Sequence, residues 1–118
     1  QMLGTHDFVV VHVEAPDECG HHGQIKEKIY SIEQIDSLIL APVWAYLEQS
    51  GEDYAILVLP DHPTPIQIRT HSAEPVPFAL YRKCDSGART LRYTERDAKN
   101  TGILLPEGHR LIDELRNS

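Results

Sequence analysis

The stretch Tyr54-Ala55-Ile56-Leu57-Val58-Leu59-Pro60-Asp61-His62 joins an uninterrupted apolar run to a carboxylate and an imidazole. A short run of this kind is typical of a strand buried in a sheet, and α/β proteins collect site residues just after the carboxyl ends of such strands. We therefore predict a strand over residues 54–59 and a site at Asp61 and His62. A turn aspartate before Pro63 is the simpler alternative. Adjacent side chains on an extended backbone point in opposite directions, so the pair could serve two different metal ions.

Two more apolar runs and one periodic segment indicate the rest of the fold. Residues 8–13 form a near-continuous β-branched run, typical of a parallel strand buried on both faces, and residues 76–81 form another strand-like run. Residues 24–39 carry apolar side chains at helical spacing, and Pro42 is expected to end or kink that helix. These patterns predict an α/β fold with a partial, mostly parallel sheet flanked by helices.

The remaining segments carry weaker signals. Residues 14–23 are expected to form a loop, and residues 66–68 a short strand. A closing helix is predicted over residues 106–117. Its inward side should consist of Leu111, Ile112 and Leu115.

Composition limits the classes of partner. The chain has 118 residues, 41% hydrophobic and 25% charged, which is ordinary for a single globular domain. The chain has a net charge of −7 and a pI of about 5.4. This disfavours nucleic acid or an anionic membrane as the main partner, because a negatively charged protein is repelled by either. No signal-peptide pattern and no apolar run near ~20 residues occurs, so we expect a cytoplasmic protein. Because the chain enters its first strand almost at once, we expect it to begin in the middle of a larger fold.

Two further blocks hold metal-ligand residues. Asp17 and His21 are spaced i and i+4, so on a helix they would share a face and could hold one ion through oxygen and nitrogen. A capping aspartate and a solvated histidine are the alternative. His71 lies in a loop made rigid by Pro75 and Pro77, although a lone histidine is more often structural. Three such blocks beside strands favour a divalent-metal site for Mn, Zn or Mg, of the kind used in phosphoryl chemistry.

The motifs that surround these residues resemble those of a known family. They are Asp17-Glu18-Cys19-Gly20-His21, Pro60-Asp61-His62-Pro63-Thr64-Pro65 and Arg69-Thr70-His71-Ser72-Ala73-Glu74-Pro75-Val76-Pro77. In this order they resemble the C-terminal motifs of the archaeal-type 2,3-bisphosphoglycerate-independent phosphoglycerate mutases, which belong to the alkaline phosphatase superfamily of two-metal enzymes. The similarity runs over nearly the whole chain. It implies that residues 1–118 are the C-terminal part of such a metalloenzyme, with an alkaline-phosphatase-like core.

The resemblance also implies how the ligands divide between two divalent ions, Mn or Mg with Zn as the alternative. Asp17, His21 and His71 would bind one ion. Asp61 and His62 would bind the other, with an aspartate and a nucleophilic serine that the family places near its N-terminus. In the family that serine accepts a phosphoryl group and returns it, which interconverts 3-phosphoglycerate and 2-phosphoglycerate in glycolysis.

Neither that aspartate and serine nor the family's inserted substrate domain has a counterpart in this chain. The chain alone is therefore expected to be inactive, with phosphoglycerate and the N-terminal portion of the enzyme as its partners. Two alternatives remain. Relatives with the same motifs serve as homoserine kinases. A non-catalytic module, in contrast, would fold, dimerise through an unpaired sheet edge and bind metal weakly or not at all.

Overall fold

The structure is a computed structural model that describes residues 2–83 and 92–116. The chain divides into two compact units. Of the described residues, the first unit comprises 2–41 and 64–70, and the second comprises 42–63, 71–83 and 92–116.

Two helices are the main elements of the first unit. After a 3-10 turn at Met2–Gly4, helix α1 spans Ala15–His21 and helix α2 spans Ile25–Ile35, and the two helices pack against each other. Gly23 makes the tight connection between them, because its φ of 65° is a left-handed conformation that favours glycine. The expectation of a loop over residues 14–23 is wrong. Asp17 and Glu18 in the first turn and His21 in the last turn suit the helix dipole, which favours a helix here.

Pro42 coincides with a change of helix type, as the sequence predicts. The α-helical pattern of α2 stops at Ile35, a π-helical segment follows at Asp36–Leu40, and helix α3 spans Ala41–Ser50. Proline lacks the N–H that would bond to the carbonyl four residues earlier, and its ring crowds that carbonyl. The backbone therefore departs from α-helical geometry just before Pro42.

The predicted strand over residues 8–13 does not form in the described structure. Most of its apolar side chains are exposed, with Val10 at 72% and Val11 at 60% of their full accessible surface. A parallel strand needs neighbours to pair its backbone N–H and C=O groups, and none of the described strands pairs with this segment. The short strand predicted at residues 66–68 is also wrong, because that segment is a turn with Arg69 at a φ of 52°.

Helix α2 confirms the helical periodicity but leaves much of its apolar side uncovered. Ile25, Ile29 and Ile32 are each about half exposed, at 57%, 53% and 50%, whereas Lys28 and Ser31 are less exposed. The helix itself follows from local spacing. Burial of its apolar side requires a partner surface, which α1 supplies for only part of the helix.

The second unit contains the sheet, and the sheet is antiparallel. Strand β1 at Ala55–Val58 pairs with strand β2 at Ala79–Arg82, with Ala55 opposite Arg82 and Val58 opposite Ala79. Both strands lie within the runs predicted from the sequence, apart from the last residue of β2. The prediction of a mostly parallel sheet is wrong for the described strands, since apolar periodicity indicates a strand but not its direction.

Aromatic rings and the closing helix cover this sheet. Tyr81 of β2 contacts Trp44 and Tyr54, with ring centroids 5.0 Å and 6.1 Å apart. After the short helix α4 at Glu95–Asn100 and a 3-10 turn at Gly108–Arg110, helix α5 at Leu111–Arg116 packs against β1. Leu111 is buried and Leu115 is half-buried as predicted, but Ile112 is 43% exposed, which contradicts its inward placement.

No helix within residues 2–83 and 92–116 is both long enough and apolar enough to cross a bilayer.

Candidate metal centre

Helix α1 brings Asp17 and His21 together on one face. Asp17 Oδ1 lies 3.4 Å from His21 Nε2, and the two side chains are 34% and 36% exposed. This is the i, i+4 relationship predicted for a helical segment. The His22 side chain makes a different contact, since its Nδ1 lies 2.8 Å from the Glu18 carbonyl oxygen. A carboxylate and an imidazole thus form a half-exposed pair.

A backbone carbonyl determines which nitrogen of His21 can act as a ligand. His21 Nδ1 lies 3.0 Å from the carbonyl oxygen of Arg69. A carbonyl oxygen can only accept, so Nδ1 carries a hydrogen, and in the neutral form of the ring Nε2 is the nitrogen that keeps the lone pair needed by a metal ion. Ligand histidines in metalloproteins commonly donate their second N–H to a carbonyl in this way. Asp17 Oδ1 and His21 Nε2 lie 3.4 Å apart, which is close enough for both atoms to bind one cation when the ring is neutral.

Thr64 holds the carboxylate of this pair. Its Oγ1 donates a 2.5 Å hydrogen bond to Asp17 Oδ1, and Thr64 is only 6% exposed. Lys28 Nζ donates to the Thr64 carbonyl at 2.8 Å, which fixes the backbone of the same residue. Sequence reasoning assigned no role to Thr64, although it stands inside the Pro60-Asp61-His62-Pro63-Thr64-Pro65 motif.

Gly20 allows this close approach. A Cβ placed on Gly20 would lie 2.6 Å from the Thr64 carbonyl oxygen and 2.9 Å from Thr64 Cγ2. Any side chain would therefore push α1 away from Thr64. The glycine between Asp17 and His21 is the one sequence signal that could have indicated a tight contact at this point.

In the second unit, Asp61 and His62 lie side by side instead of diverging. The Asp61 carboxylate accepts the backbone N–H of His62 at 3.0 Å, and its Oδ1 lies 3.4 Å from His62 Nε2. The prediction that the two side chains point in opposite directions is wrong, because the backbone bends here and is not extended. The pair nevertheless keeps one carboxylate and one imidazole close enough to share an ion.

His62 also contacts His71. Their ring centroids are 3.6 Å apart with an interplanar angle of 31°. His62 Nδ1 lies 3.3 Å from the Pro63 carbonyl oxygen, which in turn accepts the backbone N–H of Ser72 at 3.2 Å. The backbone at Ser72 thus lies next to the backbone at Pro63, and this contact places His71 against His62.

Carboxylate oxygens and imidazole nitrogens of this kind suit borderline divalent ions such as Mn²⁺ and Zn²⁺. The first unit offers Asp17 with His21, and the second offers Asp61 with His62 and His71. The donor types and the fixed tautomer of His21 therefore fit a metal centre.

Helices, a small sheet and paired carboxylate–imidazole donors are the features of an α/β metal-binding protein. The family described as the Metalloenzyme superfamily matches residues 1–105, so the chain belongs to that superfamily. Membership implies an alkaline-phosphatase-like α/β fold and divalent-metal binding.

Three of the similar proteins are named as phosphoglycerate mutases. The 2,3-bisphosphoglycerate-independent phosphoglycerate mutase of Methanosarcina mazei is 45% identical over 100% of this chain and 30% of its own length. The enzyme of that name from Methanosarcina barkeri is 48% identical over 95% of this chain, and a probable one from Geobacter sulfurreducens is 40% identical over 96%. No solved structure shows a significant match. The resemblance predicted from the three motifs is confirmed, and the chain spans less than a third of these relatives.

Proposed function

We propose that this chain is the C-terminal, metal-binding part of a cofactor-independent phosphoglycerate mutase. The parent enzyme would interconvert 3-phosphoglycerate and 2-phosphoglycerate through a phosphoserine intermediate. The observation that carries the proposal is the Asp17–His21 pair on α1, with His21 Nε2 aimed at the carboxylate. The names of the similar proteins favour mutase activity over the homoserine kinase alternative.

In this proposal five side chains form one binuclear centre. Asp17, His21 and His71 bind one ion, and Asp61 and His62 bind the second together with groups from the rest of the enzyme. The contact between the His62 and His71 rings supports the idea that ligands of both ions lie close together. Mn or Mg is the proposed metal, with Zn as the alternative, because all five ligands offer oxygen or imidazole nitrogen.

The chemistry of this centre would be electrostatic. Bound divalent ions neutralise charge on a serine nucleophile and on the phosphoryl group that it accepts. The part played by this chain is to supply fixed anionic and imidazole ligands. Substrate choice would depend on the other portion of the enzyme, which is the proposed partner together with phosphoglycerate itself. A cytoplasmic location and a homo-oligomer stay predictions.

A chimera tests the proposed function. The segment of the Methanosarcina mazei enzyme that aligns with this chain, 30% of its length, is replaced by residues 1–118. We expect metal-dependent conversion of 3-phosphoglycerate to 2-phosphoglycerate, and loss of that activity in His21→Ala. His109→Ala is the matched control, because that side chain is 78% exposed beside Glu107. A folded chimera without mutase activity would contradict the proposal.

A further inference from the structure

We infer that Thr64 is a positioning residue, which orients the Asp17 carboxylate for metal binding through its hydroxyl group. The inference rests on the proposed function, since it concerns the ion that Asp17 would hold. Thr64 Oγ1 donates to Asp17 Oδ1 at 2.5 Å, and the two residues are separated by 47 positions in the sequence. The contact is therefore made by tertiary structure and not by a local turn.

The hydrogen bond restricts the carboxylate in a useful way. A short bond to an ionised carboxylate is among the stronger hydrogen bonds in proteins, and it occupies one lone pair of Oδ1. The carboxylate can then rotate only at the expense of this bond. Half-exposed aspartates otherwise sample several orientations, and a metal ligand in one fixed orientation binds with a smaller entropic penalty.

Thr64 is itself held on three sides. Its carbonyl accepts the Lys28 ammonium at 2.8 Å, its methyl group lies against Gly20, and it is 6% exposed. The turn that follows is closed by Arg69 N–H donating to the Pro65 carbonyl at 2.9 Å. The same turn carries the Arg69 carbonyl that fixes His21. One segment, residues 64–69, thus orients both members of the α1 pair.

Two substitutions separate the hydroxyl of Thr64 from its packing. Thr64→Val keeps the branched shape against Gly20 and removes the hydroxyl, whereas Thr64→Ser keeps the hydroxyl and removes the methyl group. Thr70→Val is the matched control, because Thr70 is an exposed threonine close by in the sequence. Calorimetric titration of the chain with MnCl₂ is the measurement, and thermal unfolding without metal is recorded alongside.

We expect Thr64→Val to weaken Mn²⁺ affinity by on the order of tenfold, as is usual when a partner of a metal ligand is removed. Thr64→Ser and Thr70→Val should bind close to wild type. Equal affinity in Thr64→Val and wild type would overturn the inference and leave the proposed function intact. If Thr64→Val does not fold, Thr64→Ala and Thr64→Ser repeat the comparison.

A metal-free measurement distinguishes this inference from the proposed function. The unfolding equilibrium constant is measured in urea for Thr64→Val, Asp17→Ala and the double variant. We expect the effect of the double variant to differ by at least about twofold from the product of the two single effects. Absence of Mn²⁺ binding by wild type would argue against the proposed centre, whereas additive effects in the cycle would overturn the role of Thr64.

Discussion

The imidazole rings of His62 and His71 lie with their centroids 3.6 Å apart, at an interplanar angle of 31°. The proposed ligand division assigns these two rings to different ions. Under this proposal each ring would pack against a ligand of the neighbouring ion, and removal of one ring should disturb the other.

Metal stoichiometry should reveal this division. We expect at most one Mn²⁺ or Zn²⁺ per chain at moderate metal concentration, because one proposed ion keeps Asp17, His21 and His71 whereas the other keeps only Asp61 and His62. His71→Ala should abolish binding in calorimetric titration. His62→Ala should weaken it less, through loss of the ring contact alone.

The exposed His109 again provides the control, since His109→Ala should bind like wild type. Two equivalent tight sites per chain would contradict the ligand division. Binding that is indifferent to His71→Ala would contradict it as well.

Gly20→Ala should damage both stability and metal binding. The added Cβ would lie 2.6 Å from a backbone oxygen of Thr64, so helix α1 has to shift. Overpacking of this kind typically costs about 1–3 kcal/mol, which exceeds the gain of up to about 1 kcal/mol from replacing glycine by alanine within a helix. We expect a lower urea midpoint and weaker Mn²⁺ binding.

Gly108→Ala is the matched control for that substitution, because nothing lies within 4 Å of the position where its Cβ would stand. A Gly20→Ala variant as stable as Gly108→Ala would show that α1 does not approach Thr64 closely in solution.

Alkaline pH should destabilise the fold through its tyrosines. Partial burial raises the pKa of Tyr93 above its ordinary value, and its hydroxyl donates to the Pro77 carbonyl at 3.1 Å. Burial together with the Glu48 carboxylate also raises the pKa of Tyr54. Between the unfolded and folded pKa values the folded chain binds more protons, so stability falls as the pH rises above about 10.

Urea unfolding at a series of pH values from neutral to alkaline checks this expectation. Tyr93→Phe should reduce the alkaline loss of stability, whereas Tyr30→Phe, at a 62% exposed position, should leave it unchanged. If the free energy of unfolding falls equally with rising pH in wild type and in Tyr93→Phe, the role of Tyr93 is refuted.

The 118-residue chain should show no mutase turnover by itself. The hydroxyls of Ser31, Ser37 and Ser50 donate to the carbonyls of Lys28, Glu33 and Leu47, which are helix-internal contacts and not a nucleophile arrangement. A coupled assay with 3-phosphoglycerate and Mn²⁺ should give a rate indistinguishable from buffer. Robust metal-dependent turnover by the pure chain would be the contrary result.

Local patterns in the sequence determined the ligand types, helix α2 and strand β1. A helix or a strand follows from the spacing of apolar residues within one segment, and the aspartates and histidines of the three motifs offer the donor atoms that the proposed metal centre needs. For this reason the family resemblance could be anticipated without coordinates. The i, i+4 spacing of Asp17 and His21 indicated a shared face only on the condition that the segment is helical, and the sequence favoured a loop there.

Only the tertiary structure decided the contacts between distant segments. The Thr64–Asp17 hydrogen bond, the carbonyl of Arg69 on His21 and the antiparallel pairing of β1 with β2 each join segments that are far apart in sequence. The exposure of residues 8–13 has the same origin, because a strand-like run is buried only where a neighbour pairs with it. The periodicity of apolar residues describes one segment at a time, whereas strand pairing and side-chain burial depend on two segments that are in contact.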